Sequence, residues 1–366
     1  MPPNKRQFLK LLKPAAFGLS AAILALLIFF LIKAVSPFAG FIIQNHLTPS
    51  TFVSLLLERE PRLKLSDNRA NIIILGISGG KHEGANLTDS IIFLSIDFKK
   101  KDAVMVSVPR DIWLPSLKTK INSVYYYGEK KKSGGGFILS KSSISEILGQ
   151  SSSYVIKLDF SAFEKIIDLL GGIDVDVETG FEDRFYPIPG KENDFCGGDP
   201  QFLCRYETVS FSKGLQHMDG DSALKYVRSR FSEDREGTDF SRSRRQHQIV
   251  SAIVAKIKSL NSPKYFPLLK NIFEESSKNI ETDLNLAEML SLAKFFYFNP
   301  EISIRQVILD TGDDVNKIPG LLINPPLWQY DGIWVLVPRT GDYQEIHQYI
   351  ACQLEKKDCQ INSLKQ

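Results

Sequence analysis

Three short apolar segments, each followed by a polar loop, constrain the fold of this 366-residue chain most strongly. Their length and lack of charge are typical of buried strands, and they are 71–77 (NIIILGI), 90–96 (SIIFLSI) and 103–108 (AVMVSV). Strands predicted at 154–160 and 173–178 enclose a helix predicted over 161–172, with Ser161 as its N-cap. Because strands and helices alternate, the sequence predicts an α/β domain of the layered, α+β type.

An apolar run of 19 residues, Pro14–Ile32, precedes these segments and has the length of a helix that spans a bilayer. Four basic residues lie before the run and one directly after it, which predicts a cytoplasmic N-terminus and an extracellular or periplasmic C-terminal domain. A cleaved secretory signal that ends near Ser36 is the alternative. We therefore expect a single-pass protein of the cell membrane with one N-terminal transmembrane helix.

The expected domain organisation follows from this run and from the prolines and glycines that divide the chain. It comprises a basic cytoplasmic tail (1–13), the membrane anchor (14–32), a connector (33–70), a folded domain (71–261) and a C-terminal extension that is either separate or part of the same domain (262–366). The five basic residues of the first 33 leave a body with 40 basic and 42 acidic residues, a net charge of −2. A near-neutral body argues against a general nucleic-acid-binding protein.

The four cysteines form two close pairs in the sequence. Cys196 and Cys204 enclose a Gly-Gly and a proline, and Cys352 and Cys359 have six residues between them. In an exported domain, such pairs favour two local disulfides. Zinc binding and four free buried thiols are the alternatives, although neither pair has the short ligand spacing or the nearby histidine pair of a zinc site.

Six arginines crowd the stretch from Tyr226 to Gln246. They are Arg228, Arg230, Arg235, Arg242, Arg244 and Arg245. Planar guanidinium groups bind oxyanions, and phosphate above all. The acidic residues of the same stretch offer the alternative of a salt-bridged, solvated helix–loop–helix, and they are Glu233, Asp234, Glu236 and Asp239. Because the rest of the body is near neutral, the cluster is a local feature, which favours an anion-binding site.

A long helix predicted over 239–260 begins inside this arginine cluster. Arginines in its first turns oppose the helix dipole, and a bound anion would compensate for them; an Asp239 cap is the alternative. Arg242 and Gln246 are four residues apart and share one helical face, whereas Arg245 points elsewhere. We expect one set to face a ligand, namely Arg228, Arg230, Arg242 and Gln246. We expect the others to be paired at the surface, namely Arg235, Arg244 and Arg245.

Two upstream loops carry the other candidate site residues. Asp89 directly precedes the second predicted strand, where its carboxylate could bind a divalent cation or accept a hydroxyl proton; a turn-capping role is the alternative. Arg110 follows the third strand and a proline, and a surface ion pair with Asp111 is the alternative interpretation. His82 and Glu83, in the glycine-rich loop before Asp89, could add a metal ligand.

The order and spacing of these motifs resembles the LytR-CpsA-Psr (LCP) family. The motifs lie within about residues 70–260, and they are TDS (88–90), SVPRD (107–111), GLQHMDGDSALKYVRSR (214–230) and DFSRSRRQ (239–246). The resemblance implies a mixed central sheet flanked by helices, and an enzyme that is a glycopolymer phosphotransferase. It implies a polyprenyl-pyrophosphate-linked glycan as donor, a peptidoglycan hydroxyl as acceptor, membrane lipid as surroundings, no nucleic-acid partner, and Mg²⁺ or Mn²⁺ as cofactor.

The resemblance also implies roles for single residues. Asp89 matches the aspartate of the family's Arg-Ser-Asp-Thr motif and is expected to be catalytic and, with Glu83, to bind the metal. Arg110 matches the arginine of the family's Pro-Arg-Asp motif and is expected to be catalytic. The residues that match the family's pyrophosphate-binding set are Arg228, Arg230, Arg242 and Gln246.

Two positions depart from the family pattern. Leu87 stands where the family usually has the arginine of the first motif, and Ser78 stands near the usual position of a second aspartate. His82 or Glu83 is expected to compensate. A polyprenyl-phosphate-binding module without turnover and a lipid pyrophosphatase are the rival functions. A regulatory envelope protein is a third, and an outward-facing body with a net charge of −2 and no DNA-binding pattern argues against it.

Overall fold

The central feature of the fold is a six-stranded mixed β-sheet. A computed structural model of the chain describes residues 62–80, 84–230, 237, 239–260, 268, 271–272, 274–275, 279–299, 301–313, 318–355 and 359–361. The predicted anchor, the cytoplasmic tail, Glu83 and Arg235 lie outside these residues. Among the helices that the structure does describe, none is both long and apolar enough to cross a bilayer.

The chain builds ten strands of three residues or more. They are β1 (Arg69–Ile77), β2 (Thr88–Asp97), β3 (Asp102–Ser107), β4 (Tyr154–Asp159), β5 (Ile173–Val177), β6 (Phe181–Pro187), β7 (Tyr206–Phe211), β8 (Gly214–Met218), β9 (Ile280–Thr282) and β10 (Ser303–Ile308), among the described residues. Shorter two-residue strands pair at Trp113–Leu114 with Thr119–Lys120, at Gly312–Asp313 with Ile318–Pro319, and at Leu322–Ile323 with Val337–Pro338.

Seven helices of eight residues or more accompany these strands in the described part of the chain. They are α1 (Val124–Lys131), α2 (Gly135–Leu148), α3 (Phe160–Leu169), α4 (Gly220–Arg228), α5 (Asp239–Ser259), α6 (Leu286–Phe298) and α7 (Gln344–Leu354). The five strands and the long helix that the sequence predicts between residues 71 and 260 are all present, within one or two residues at each end.

The strand order of the central sheet is β9-β4-β1-β2-β3-β10. β1 is parallel to β4 and β3 is parallel to β10, whereas β2 runs antiparallel to both of its neighbours. The expectation of a mixed sheet flanked by helices is therefore confirmed. Because β9 and β10 come from after residue 261, the sheet draws its two edge strands from the region predicted as an extension.

Both faces of the sheet are buried, as the continuous apolar runs of β1 to β3 require. On one face Ile73 and Leu75 of β1 pack in a core that includes residues of α2 and α7. On the other face Ile72 packs in a second core against α6, with Phe295 among its members. A third core joins α3, α4, α5, β5, β8 and the β6–β7 hairpin. Period-two alternation along β1 thus places the sheet between two helical layers.

One local detail differs from the sequence-based expectation, and one glycine run has a packing role. The N-cap of α3 is Asp159 rather than Ser161, since the Asp159 side chain accepts a hydrogen bond of 2.8 Å from the Ala162 amide. The glycine run at 134–136 forms the N-terminus of helix α2. A Cβ at Gly135 would lie 2.3 Å from the Gly128 carbonyl oxygen, so the glycines allow α1 and α2 to cross in close contact.

All four cysteines are joined in the two local disulfides that the sequence favours, Cys196–Cys204 and Cys352–Cys359. The first closes the tip of the β6–β7 hairpin, and the second follows α7. Within the described residues, Asp194 with Cys196 and Cys204 is the one group of three potential metal ligands. Because its two sulfur atoms are bonded to each other, the zinc alternative is not supported at this pair.

Candidate functional site: an arginine-lined cleft at the sheet edge

One edge of the central sheet gathers most of the candidate residues. β1 and β3 end at this edge and β2, which is antiparallel to them, begins there. Asp89 lies at the start of β2, and Arg110 lies three residues after the end of β3. The N-terminal half of α5 crosses the same edge and adds Arg242 and Gln246. Strand polarity therefore brings together side chains that are far apart in sequence.

Two adjoining cavities of about 240 and 260 Å³ open at this edge. Five residues line both of them and form what we call the shared wall. They are Asp89, Ser90, Arg110, Arg242 and Gln246. We call the one of about 260 Å³ the arginine cavity, because Arg228 and Arg230 also line it. We call the other the tryptophan cavity, because Trp334 and Asn324 line it.

Hydrogen bonds hold the shared wall together. Arg110 Nη1 lies 2.5 Å from Asp89 Oδ1, and both side chains are partly exposed to the cavities. Arg242 Nη2 donates to the backbone oxygen of Asp89 at 3.3 Å. Gln246 Nε2 donates to Ser90 Oγ at 2.7 Å. Helix α5 is thereby fastened to the first residues of β2, and its two cavity-lining side chains, Arg242 and Gln246, are fixed relative to Arg110.

Arg110 is held from a second side by the residue that follows it. Its Nε lies 3.4 Å from Asp111 Oδ2, and the Lys120 ammonium lies 2.7 Å from Asp111 Oδ1. Asp111 is buried, so this carboxylate is shielded from water and restrains the Arg110 side chain. The ion pair that the sequence offered as the alternative interpretation is present, and it coexists with the contact to Asp89.

The arginine cavity receives its two further arginines from the end of α4. Arg228 lies in the last turn of α4, and its guanidinium stacks 4.4 Å from the Phe160 ring centroid and donates to the Tyr186 hydroxyl at 3.2 Å. The Arg230 amide donates to buried Asp183 at 2.9 Å. The β6–β7 hairpin, which supplies Tyr186 and Asp183, therefore positions this end of the cavity.

The arginine cavity carries an excess of positive charge. Four arginines and two aspartates line it, a formal excess of two positive charges. Burial raises the pKa of the Tyr186 hydroxyl, while the adjacent Arg228 opposes that shift. The hydroxyl therefore remains a neutral hydrogen-bonding group at physiological pH. An anion with about two negative charges, such as a pyrophosphate ester, would balance the formal excess.

Arg245 departs from the expectation of a surface ion pair. It is 2% exposed, and it donates to the backbone oxygens of Tyr226 at 2.9 Å and of Ser229 at 2.6 Å. Its guanidinium also stacks 4.5 Å from the Phe181 ring centroid. The expectation was therefore wrong: Arg245 is a buried residue that ties α5 to the end of α4. Arg244 is half-buried and donates to Ser241, within its own helix.

The positions that depart from the family pattern lie near the same edge. Ser78 follows β1, and its Oγ lies 3.5 Å from the Ala85 carbonyl oxygen. Leu87 directly precedes β2 and is partly buried. Sequence reasoning did not single out Ser90, Tyr186, Asp183 or Trp334 as site residues. A signal existed for Ser90 alone, since it belongs to the quoted TDS motif; the other three reach the cleft through tertiary packing.

Histidine 247, next to Gln246, anchors α5 to the sheet from within the core. It is fully buried, and its Nε2 lies 2.8 Å from Ser107 Oγ at the end of β3. Burial lowers the pKa of the His247 imidazole to about 4, so the ring is neutral in the folded protein at neutral pH. This contact fixes the position of α5 relative to the end of β3, because Ser107 lies three residues before Arg110 in the sequence.

Acidification should weaken the fold through His247. The unfolded chain takes up this proton near pH 6.5 and the folded chain only near pH 4. The free energy of unfolding should therefore fall between these pH values, by on the order of 3 kcal/mol from this group alone. Urea unfolding at pH 7.5 and pH 4.5 of the wild type and of His247→Gln measures the effect. The variant should lose less stability on acidification, and parallel pH curves would contradict the assignment.

Fold and cleft together define the class of protein: an α/β domain with an arginine-lined, positively charged cleft at one edge of a mixed sheet. The family model described as "LytR_cpsA_psr family" matches residues 48–322. The chain therefore belongs to the LytR_cpsA_psr family, as the motifs in its sequence indicate.

Relatives within this family carry specific names. The polyisoprenyl-teichoic acid–peptidoglycan teichoic acid transferase TagV of Bacillus subtilis is 29% identical over 62% of this chain, and the match covers 52% of TagV, about half its length. The TagU transferase of the same description from Bacillus cereus is 26% identical over 78% of this chain and 79% of its own. The crystal structure of TagV has the same fold, with a TM-score of 0.55, 24% identity, and coverage of 80% of this chain and 99% of that one.

Proposed function

We propose that this protein is a membrane-anchored phosphotransferase that moves a glycopolymer from a polyprenyl-pyrophosphate carrier onto a peptidoglycan hydroxyl. The observation that carries the proposal is the shared wall, which presents two arginines and a carboxylate to two cavities at once. A transfer between two substrates needs one reacting centre that both can reach. The names of the relatives TagV and TagU describe a reaction of this kind.

In this mechanism the pyrophosphate of the donor lies in the arginine cavity. Arg228 and Arg230 bind the phosphate that will leave with the lipid, while Arg110 and Arg242 bind the phosphate that carries the glycan. Phosphoryl transfer depends mainly on such positioning and charge stabilisation. The arginines need no large movement to do so, because Arg228 is stacked on Phe160 and Arg242 is bonded to the Asp89 backbone.

The transfer itself exchanges one phosphorus–oxygen bond for another. The acceptor hydroxyl oxygen forms a bond to the glycan-bearing phosphorus, and the bond from that phosphorus to the polyprenyl phosphate breaks. The hydroxyl proton passes to the Asp89 carboxylate, and the negative charge leaves on the polyprenyl phosphate, where Arg228 and Arg230 stabilise it. Arg110 fixes the orientation of Asp89 through its 2.5 Å contact.

Asp89 is also the residue that would hold a divalent cation. Mg²⁺ usually binds through one or two carboxylates together with substrate phosphates and water, and Asp89 is the carboxylate common to both cavities. Asp111 and Asp183 line the cavities too, but they already bind Lys120 and the Arg230 amide. Bound Mg²⁺ would add charge neutralisation at the pyrophosphate. The protein side chains fit Mg²⁺ only when phosphate oxygens of the substrate complete the set of metal ligands.

Metal binding and pyrophosphate binding should consequently reinforce each other. Calorimetric titration of the wild type with geranyl pyrophosphate should give an affinity roughly tenfold higher with Mg²⁺ than with EDTA, since one charge-assisted contact is worth about 1.5–3 kcal/mol. In Asp89→Asn, which keeps the side-chain shape, the enhancement should disappear. An equal enhancement in Asp89→Asn would show that the metal is held elsewhere.

The predicted anchor at 14–32 is part of this proposal. A membrane-tethered domain stays near a lipid-borne donor, and tethering raises the effective concentration of that donor. The N-terminus would be cytoplasmic and the catalytic domain would lie on the outer side of the membrane, where peptidoglycan is available. Both disulfides are compatible with that oxidising side of the membrane.

A single assay separates this function from its rivals. The full chain in detergent is incubated with a radiolabelled polyprenyl-pyrophosphate-linked glycan and Mg²⁺, with and without uncrosslinked peptidoglycan chains. Label recovered on the peptidoglycan supports the transferase, and Arg110→Ala should abolish it. Free glycan phosphate in both mixtures would instead identify a pyrophosphatase. Retention of intact donor, bound but never turned over, would identify a binding module.

A further inference from the structure

We propose that the tryptophan cavity is the acceptor subsite, in which the indole of Trp334 packs against a sugar ring of the peptidoglycan strand. This proposal rests on the proposed transferase function and names where its second substrate binds. The cavity holds about 240 Å³ and includes the shared wall, whereas Arg228 and Arg230 line only the arginine cavity. An acceptor placed there faces the same phosphate that Arg110 and Arg242 hold.

Two cavities that share one wall give the two substrates of an in-line displacement separate places to bind. The attacking oxygen and the leaving oxygen must lie on opposite sides of the phosphorus. With the lipid phosphate bound by Arg228 and Arg230, the attacking oxygen has to come from another direction. The tryptophan cavity is the one of the two that Arg228 and Arg230 do not line, and it includes Asp89, the proton acceptor of the mechanism.

The lining of the tryptophan cavity suits a saccharide better than a second phosphate. Beyond the shared wall it contains no additional arginine or lysine among its lining residues, and it adds the acid Asp111. Its other polar groups are neutral, and they are Ser243, Thr311 and Asn324. Trp334 is 45% exposed and contributes a broad aromatic surface. A flat apolar surface beside neutral hydrogen-bonding groups matches a sugar, which has apolar faces and hydroxyl edges.

The Trp334 segment is held rigidly against the loop that carries Arg110. The Leu336 amide donates to the Asp111 backbone oxygen at 2.9 Å, and the Trp113 amide donates to the Leu336 oxygen at 2.9 Å. Lys120 donates to the Trp334 backbone oxygen at 3.3 Å while it also binds Asp111. The backbone that carries the indole is therefore positioned by the same loop that carries Arg110, which keeps Trp334 close to the site of the phosphate.

The position of Trp334 in the chain also bears on acceptor choice. The family match ends at residue 322, and Asn324, Trp334 and Leu336 all lie beyond it. The arginine cavity and the shared wall, by contrast, come entirely from within the match. We infer that Asn324, Trp334 and Leu336 help to select the acceptor saccharide of this particular chain, while the common part of the family fold binds the donor.

The cavity also has apolar walls that could accept the first isoprenoid units of the donor, such as Ile91 and Val108. Steady-state kinetics distinguishes the two occupants. In the transfer assay with soluble peptidoglycan chains, Trp334→Ala should raise the acceptor KM by roughly three- to tenfold, as expected from the loss of one aromatic stacking contact. The donor KM should change less than twofold, and Trp334→Phe should restore most of the acceptor affinity.

Trp328→Ala is the matched control, because Trp328 is 78% exposed in the same segment and lines neither cavity. It should leave both KM values unchanged. An unchanged acceptor KM in Trp334→Ala, or a raised donor KM, would overturn the acceptor subsite. Calorimetric binding of the peptidoglycan chains without donor separates the two proposals. Trp334-dependent binding without any transfer would refute the proposed reaction alone, whereas transfer that is insensitive to Trp334 would refute the subsite alone.

Discussion

Replacing Arg242 by alanine should lower the rate of glycan transfer by about 10²–10³-fold, the usual cost of removing one positioned donor to a developing charge. Arg242 is 7% exposed, lines both cavities, and donates to the Asp89 backbone oxygen. It therefore contacts the reacting phosphate in the proposed mechanism and also holds α5 at the start of β2. The initial rate with saturating donor and peptidoglycan measures the effect.

Arg244→Ala is the matched control for this prediction. Arg244 lies two residues further along α5, lines neither cavity, and donates to Ser241 of the same helix. The Arg244→Ala substitution removes the same charge from the same helical turn as Arg242→Ala. A general loss of positive potential would therefore slow both variants alike. We expect Arg244→Ala to stay within a few-fold of the wild-type rate. If Arg242→Ala keeps near wild-type activity, Arg242 does not contact the reacting phosphate.

Replacing Arg245 by alanine should instead destabilise the fold, by about 3 kcal/mol or more. The substitution leaves the buried carbonyl oxygens of Tyr226 and Ser229 without their guanidinium donor and opens a void beside Phe181. In a buried site, both the unsatisfied carbonyl oxygens and the void lower the free energy of unfolding. Urea unfolding, followed by tryptophan fluorescence, should show a lower transition midpoint with an unchanged slope.

Arg245→Met separates packing from hydrogen bonding in that experiment. Methionine fills much of the space against Phe181 but donates nothing to the carbonyl oxygens, so its stability should lie between alanine and arginine. The transfer rate of the folded fraction should remain close to that of the wild type, since Arg245 lines neither cavity. A wild-type midpoint for Arg245→Ala would contradict the structural role.

The contrast between Arg242 and Arg245 shows what the sequence can predict about this site. Helical spacing alone places Arg242 and Gln246 on one face, and the structure has both of them in the shared wall. The same spacing says that Arg245 points elsewhere, but it does not say what lies there. Only the packing of α4 against α5 reveals a buried pair of carbonyl oxygens rather than solvent.

The fold follows the same division between local and long-range information. Strands β1 to β5 and helix α5 could be predicted, because apolar runs and periodicity are local properties. Their assembly could not, because β10 pairs with β3 across about two hundred residues. The Asp159 cap was missed since a neighbouring serine satisfies the same sequence pattern. Trp334 was missed because nothing in its local sequence marks it as close to Arg110.

The position of the two edge strands late in the sequence has a consequence for how the protein folds during synthesis. β4 pairs with Ile280–Thr282 and β3 pairs with Ser303–Ile308, so both edges of the sheet stay unpaired until most of the chain has been made. Unpaired edges invite pairing with other chains, and distant contacts slow folding. Newly made molecules are therefore open to non-native strand pairing until the C-terminal third of the chain closes both edges of the sheet.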